Sequence, residues 1–187
     1  MPTKAELEAA DGIELPDLGR PGLRLLLVGI NPGRHSGASG YHFGNPRNHL
    51  WYALHESGLT PRRLQPWQTD ELLALGIGIT NLVMRTTQGA NNLTAVEYRA
   101  GAEVLRRKVA ELRPGLVAVL GKGPYGLGFG VKDVTLGPQP EPLEGVPLWV
   151  LPNPSPINAS YPKEDLARRF HELRTALDAR VQHEPAR

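Results

Sequence analysis

The chain has 187 residues, 40% hydrophobic and 21% charged, a composition that supports a substantial core and excludes a disordered chain. With no cysteine it has neither disulfides nor thiolate metal sites, which fits a reducing cytoplasm. The net charge of +2 and pI near 9.0 permit a polyanionic partner without requiring one.

In chain order, residues 1–20 are polar and acidic and read as a loosely attached lead-in without a signal-peptide core. No apolar run approaches the roughly 20 residues of a membrane-spanning helix, so a membrane-free, cytoplasmic protein is expected. Leu23–Gly29 is a first strand, its apolar run that of a strand buried on both faces. The loop from Pro32 to Gly44, rich in Gly, Ser and His, exceeds the usual strand-to-helix connection, and such loops tend to carry function. Asn45-Pro46 opens a helix that Gly58 ends, with Leu50, Trp51, Leu54 and His55 on one face.

A short helix starts at Thr69, and Ile77–Leu82 is a second buried strand, followed by a polar loop over Val83–Leu93. Thr94-Ala95-Val96-Glu97 is a capping box, opening a helix to about Arg113 with Val96, Leu105, Val109 and Leu112 facing inward. Leu116–Leu120 and Pro147–Leu151 are the third and fourth strands. Lys163–Ala179 is a closing helix with Leu166, Phe170, Leu173 and Leu177 as its buried stripe. Alternating strands and helices predict a three-layer α/β/α sandwich around a mainly parallel sheet of about four strands. The domain covers residues 21–180, and 181–187 form a frayed tail.

Gly121-Lys122-Gly123-Pro124-Tyr125-Gly126 has the form of a dinucleotide fingerprint. Pro124 sits where amides should face phosphate, no long amphipathic helix follows, and the unit lies third along the sheet, so a nucleotide cofactor is not expected. More informative are two strands that end alike. The first passes into Ile30-Asn31-Pro32-Gly33 and the fourth into Pro152-Asn153-Pro154-Ser155. Asn-Pro-Gly alone is an ordinary turn. Two such rigid loops on one sheet edge can line a single cleft without a ligand having to order them.

These residues resemble the two signature motifs of the mismatch-specific uracil-DNA glycosylases, bacterial relatives of thymine-DNA glycosylase in the uracil-DNA glycosylase superfamily. The likeness extends in order and spacing through Gly40–Phe43, Asn48–Trp51, Thr80–Val83, Leu120–Lys122 and Trp149–Pro152, over roughly residues 22–178. It implies a uracil-DNA glycosylase-like fold and a monomeric enzyme without cofactor or metal. The implied enzyme flips uracil, with thymine, ethenocytosine and other modified pyrimidines as further candidates, out of mismatched double-stranded DNA and hydrolyses the base–sugar bond. A non-catalytic binder of mismatches or abasic sites is the alternative.

The resemblance assigns roles by residue. Asn31 holds the attacking water, positioning it without taking its proton, so slow turnover is expected. Phe43, which otherwise reads as core, stacks on the flipped base; main-chain amides around Ile30 and Tyr41 meet the base oxygens; Asn81 joins the base-binding set. The small-residue wall Ser36–Gly40 leaves room near the base C5. Asn153, Ser155, Pro156, Ile157 and Asn158 belong to the DNA-binding loop, with Ile157 as the wedge that fills the vacated stack. Where the family commonly reads Asn-Pro-Ser-Gly-Leu-Ser, this chain reads Asn-Pro-Ser-Pro-Ile-Asn. Pro156 removes an amide donor, so contacts to the opposite guanine are not carried over. Lys122 reads as a phosphate contact in preference to a Schiff-base nucleophile, and His35 and His42 are candidate assistants to Asn31.

Overall fold

The structure, a computed structural model, describes residues 2–156 and 161–181. Strands β1 (Leu25–Gly29), β2 (Ile77–Asn81), β3 (Val117–Leu120) and β5 (Leu148–Leu151) run parallel. The two-residue β4 (Gly137–Pro138) lies antiparallel on β5, giving the order β2-β1-β3-β5-β4. The sheet thus has five strands where about four were expected. Two residues carry no periodicity to read, and Pro138, which cannot donate to a ladder, is tolerated because it sits on an edge.

Alternation along β1 builds the layers. Leu25 and Leu27 face a core shared with α3 (Leu50–Glu56), α4 (Thr69–Ala74) and α7 (Lys163–Val181), including Trp51, Leu72, Phe170 and Leu173. Leu26 and Val28 face the opposite core, against Tyr98, Leu105 and Val109 of α5 (Ala95–Leu112) and Tyr125 of α6 (Lys122–Phe129). Each such buried aliphatic side chain contributes on the order of 1.5–3 kcal/mol. Val96, expected to face inward, is exposed; Tyr98 and Ala102 take the buried face of α5, set by the packing of α5 on α6.

Two local expectations are corrected. The helix predicted from Asn45 starts at Leu50. Asn45 Oδ1 accepts instead from the Arg47 amide at 3.0 Å, and Asn48 Oδ1 accepts from the Leu50 amide at 2.9 Å, so two successive Asx turns displace the helix start. The lead-in is attached along its length. It forms α1 (Lys4–Ala9) with a Thr3/Glu6 capping box, buries Ala10 and Leu15, and exchanges backbone hydrogen bonds between Leu18 and Ile79 at 2.9 and 2.8 Å. Asp17 pairs with Lys108 of α5 at 2.7 Å and accepts from the Thr80 hydroxyl at 2.5 Å. Its apolar residues are too widely and unevenly spaced among acidic ones to show a period.

Four parallel strands deliver their carboxyl ends to one edge, in register: Gly29 lies beside Asn81, and Leu120 beside Leu151. The chain reverses its direction across the sheet between β1 and β3, which opens a crevice beyond their ends.

Candidate functional site

A cleft of about 940 Å³ occupies that crevice. Of the residues singled out in the sequence, Ile30, Asn31, Phe43, Asn81, Lys122, Asn153, Ser155 and Pro156 line it. Tyr41 does not, being exposed, and its amide is satisfied by Ser39 Oγ at 3.3 Å. Ile157 and Asn158 lie outside the described residues.

Asn31 is fixed from one side only. Its Nδ2 donates to the carbonyls of Pro32 and Arg85, both at 3.1 Å, and to Thr87 Oγ1 at 2.8 Å. The Thr87 hydroxyl spends its own proton on the Gly89 carbonyl at 2.9 Å, so it can only accept from Asn31. Two carbonyls and a committed hydroxyl leave the amide one orientation, since a flip would set oxygen against oxygen. Asn31 Oδ1, which has no partner among the described residues, is the atom the side chain can offer to the cleft. The loop after β2 that supplies the Arg85 and Thr87 acceptors runs along the loop after β1, with the Thr87 amide bonded to the Pro32 carbonyl at 3.1 Å. The sequence singles out neither: Arg85 accepts through its backbone carbonyl, which carries no side-chain signal, and Thr87 is one hydroxyl among several in a polar loop.

Phe43 has a φ of 51°, a left-handed conformation that costs a bulky residue of order 1–3 kcal/mol. It is held there by the Trp51 indole, which donates to the Phe43 carbonyl at 3.3 Å, and by α2 (Arg34–Ser39), whose Ser36 hydroxyl accepts from the Gly44 amide at 3.0 Å. The ring thereby packs on the core and lines the cleft together, over the end of β1. Gly29 makes room for it: a Cβ there would come within 3.1 Å of Phe43 Cζ and overlap Asn81 Oδ1.

On the far wall the two loops meet. The His49 amide donates to the Pro154 carbonyl at 3.0 Å, and the Gly121 amide to the Leu151 carbonyl at 2.8 Å. Asn153 Oδ1 accepts from the Ser155 amide at 3.0 Å in an Asx turn, so this amide is engaged inside the loop. The glycine segment that resembled a nucleotide fingerprint opens the eight-residue α6, with Gly121 at φ 136° and Lys122 exposed at the rim. Leu7 of α1 also lines the cleft, a contribution from the lead-in that sequence reading missed.

The lining is cationic. Arg34, Arg47 and Lys122 give it that charge, His35 and His42 also line it, and no Asp or Glu does among the described residues. Arg34 is partly neutralised by Asp11, at 2.9 and 2.5 Å. His42 is buried, and burial pushes its imidazole below the usual histidine range. No group of three or more metal-binding side chains occurs among the described residues, and none of the described helices is long and apolar enough to cross a membrane.

The loop that orients Asn31 is tethered electrostatically. Arg85 Nε lies 2.6 Å from Glu97 Oε1, and this guanidinium, with the Thr94 amide and hydroxyl, holds the Glu97 carboxyl at about 2. A carboxyl depressed in the folded state stabilises it above the ordinary value near 4.5, and that stabilisation is lost as pH falls toward about 2. Thermal melts should therefore show Glu97→Gln below the parent at neutral pH, with the gap closing between these two values.

Residues 16–177 match the family model described as the uracil DNA glycosylase superfamily. Among solved structures, the chain is similar to the solution NMR structure of a "putative Uracil DNA glycosylase" from Methanosarcina acetivorans. The two share 16% identity with a TM-score of 0.54, over 87% of this chain and 98% of the other, a likeness of fold.

Proposed function

The chain belongs to the uracil DNA glycosylase superfamily, and from that membership we propose a monofunctional, mismatch-specific glycosylase that excises uracil from double-stranded DNA. Thymine and ethenocytosine opposite guanine are further substrates in this reading, and excision would initiate base excision repair. The observation that carries it is Asn31, its amide nitrogen locked by three acceptors and its oxygen left for a water in a cleft that no carboxylate lines among the described residues.

Extruding a base costs a few kcal/mol, least for a mispair, so G:U and G:T sites are favoured before any contact is made. Stacking on Phe43 returns on the order of 1–3 kcal/mol. Hydrolysis then forms a bond from the water oxygen to the sugar C1′ and breaks the bond from C1′ to the base. The bonding pair leaves with the base, and the water proton passes to solvent or to the departing base. Asn31 Oδ1 can orient the water but cannot take that proton, so the reaction relies on bond breaking running ahead of attack. The foregone general base is worth roughly 10²–10⁴-fold, which sets a slow enzyme. Exposed Arg47 and Lys122 are suited to DNA phosphates at the rim. The same reading has the protein act as a monomer in the cytoplasm.

Labelled duplexes carrying uracil opposite guanine or adenine, and thymine or ethenocytosine opposite guanine, test the substrate range. Uracil opposite guanine should be excised faster than uracil opposite adenine. Equal rates on the two would contradict the mismatch preference.

A further inference from the structure

The segment that holds Asn31 is itself held by the lead-in, through two successive peptide planes. In the first, between Arg85 and Thr86, the carbonyl accepts from Asn31 Nδ2 at 3.1 Å and the amide donates to the Ile13 carbonyl at 2.8 Å. In the second, between Thr86 and Thr87, the carbonyl accepts from the Gly12 amide at 2.9 Å and the amide donates to the Pro32 carbonyl at 3.1 Å. A trans peptide sets its C=O and N–H on opposite sides of one rigid plane, so neither group turns without the other. Each plane therefore has one edge on the lead-in and the other on the Asn31 loop. Arg85 accordingly pairs antiparallel with Glu14, and Thr87 pairs parallel with Gly33. Residues 85–87 act as a short strand between two others, in a polar stretch with no apolar run to mark it.

Sideways movement of this strand is also opposed. Thr86 is fully buried, and a Cβ on Gly37 of α2 would fall 2.6 Å from its hydroxyl oxygen, so the helix lies directly against it. Arg34, the first residue of α2, is bonded to Asp11 at 2.9 and 2.5 Å. The next residue, Gly12, has a φ of 84°, and this left-handed turn brings its amide to Thr86 as the chain leaves α1. We propose that the turn Asp11–Ile13 is a positioning element for Asn31: by fixing the two peptide planes it sets where Asn31 Oδ1 holds the water. The proposal rests on the glycosylase reading and makes the lead-in part of the machinery of that site. Asp11, Gly12 and Ile13 do not line the cleft, so their effect passes through the peptide planes to Asn31 and not to the base or the DNA.

The test is a double-mutant cycle between Gly12 and Asn31, read as single-turnover excision of uracil from a G:U duplex at saturating protein. Gly12→Pro removes the amide donor and cannot take the left-handed φ. It should lower the rate about tenfold or more, while duplex binding changes by no more than about threefold. In an Asn31→Ala background the same change should cost no more than about twofold, because the group it positions is gone. Gly12→Asn keeps the amide, accepts a left-handed φ and meets nothing within 4 Å, so it should stay within about threefold of the parent. If urea melts show that Gly12→Pro does not fold, Asp11→Ala, which cuts only the tie to Arg34, goes through the same cycle. Its expected loss is about threefold, and Asn31→Ala should abolish it. Equal losses in the two backgrounds, or a parental rate in the variant that folds, would overturn this inference alone. A parent that excises no uracil would overturn the functional reading and the inference with it.

Discussion

Asn31→Ala is expected to lower single-turnover excision of uracil by at least about 10²-fold, the scale on which losing the position of a reactant acts, with duplex binding changed by no more than about threefold. The separation follows from where the side chain sits. Its nitrogen is spent on Pro32, Arg85 and Thr87, and the oxygen alone is available for chemistry. Removing it takes away the water's anchor and leaves Phe43, the second loop and the cationic rim in place. Binding and excision lost together would instead assign Asn31 a structural role, since its bonds to Arg85 and Thr87 also join the two loops. Binding kept with excision unchanged would move the water to another group. A carboxylate at this position would not be an improved base, because its oxygens would face the Pro32 and Arg85 carbonyls now met by an NH₂.

The second large effect is expected at a residue with no side chain. Gly29→Ala places a methyl against Asn81 Oδ1 and within 3.1 Å of Phe43 Cζ, at the end of a strand packed on both faces. Both neighbours are restrained: Asn81 is tied to His42, and Phe43 is pinned through its carbonyl by Trp51. Overpacking of this kind costs about 1–3 kcal/mol. Excision should fall by at least about 10²-fold, the scale on which small misplacements act. Urea melts and single-turnover rates measure both. A folded Gly29→Ala protein with parental activity would show that the ring and amide are not held as tightly as these contacts imply.

These two positions mark what the sequence could and could not convey. The apolar run ending at Gly29 identified a buried central strand, and the twin Asn-Pro turns identified the edge on which a cleft would form, because both signals lie in side-chain type and order. Most of the predicted site residues do line one cleft, drawn from four strand ends that are distant in the chain. The likeness placed Asn31 and Phe43, but their restraints were not legible. Three acceptors orient Asn31, two of them backbone carbonyls, and Phe43 keeps its left-handed φ through a main-chain bond to Trp51. The lead-in failed for a different reason. Leu7, Ala10, Leu15 and Leu18 follow no helical or strand period, so their packing emerges only when Leu18 pairs with Ile79.

His42 and Asn81 show the same limit from the side of chemistry. A loop histidine reads as a phosphate contact or a base, and here burial, the Pro16 carbonyl and the Asn81 amide consume both nitrogens. It holds a neighbour in place and is not positioned to take a proton from water. With no carboxylate lining the cleft among the described residues, the chemistry falls to Asn31.

The most direct measurement is made on the unmodified protein with an end-labelled duplex holding one G:U pair. The account predicts release of free uracil and strand breaks at that site only after alkali. No alkali-sensitive site would contradict the glycosylase reading, and breaks without alkali would replace the water held by Asn31 with a lyase nucleophile such as Lys122.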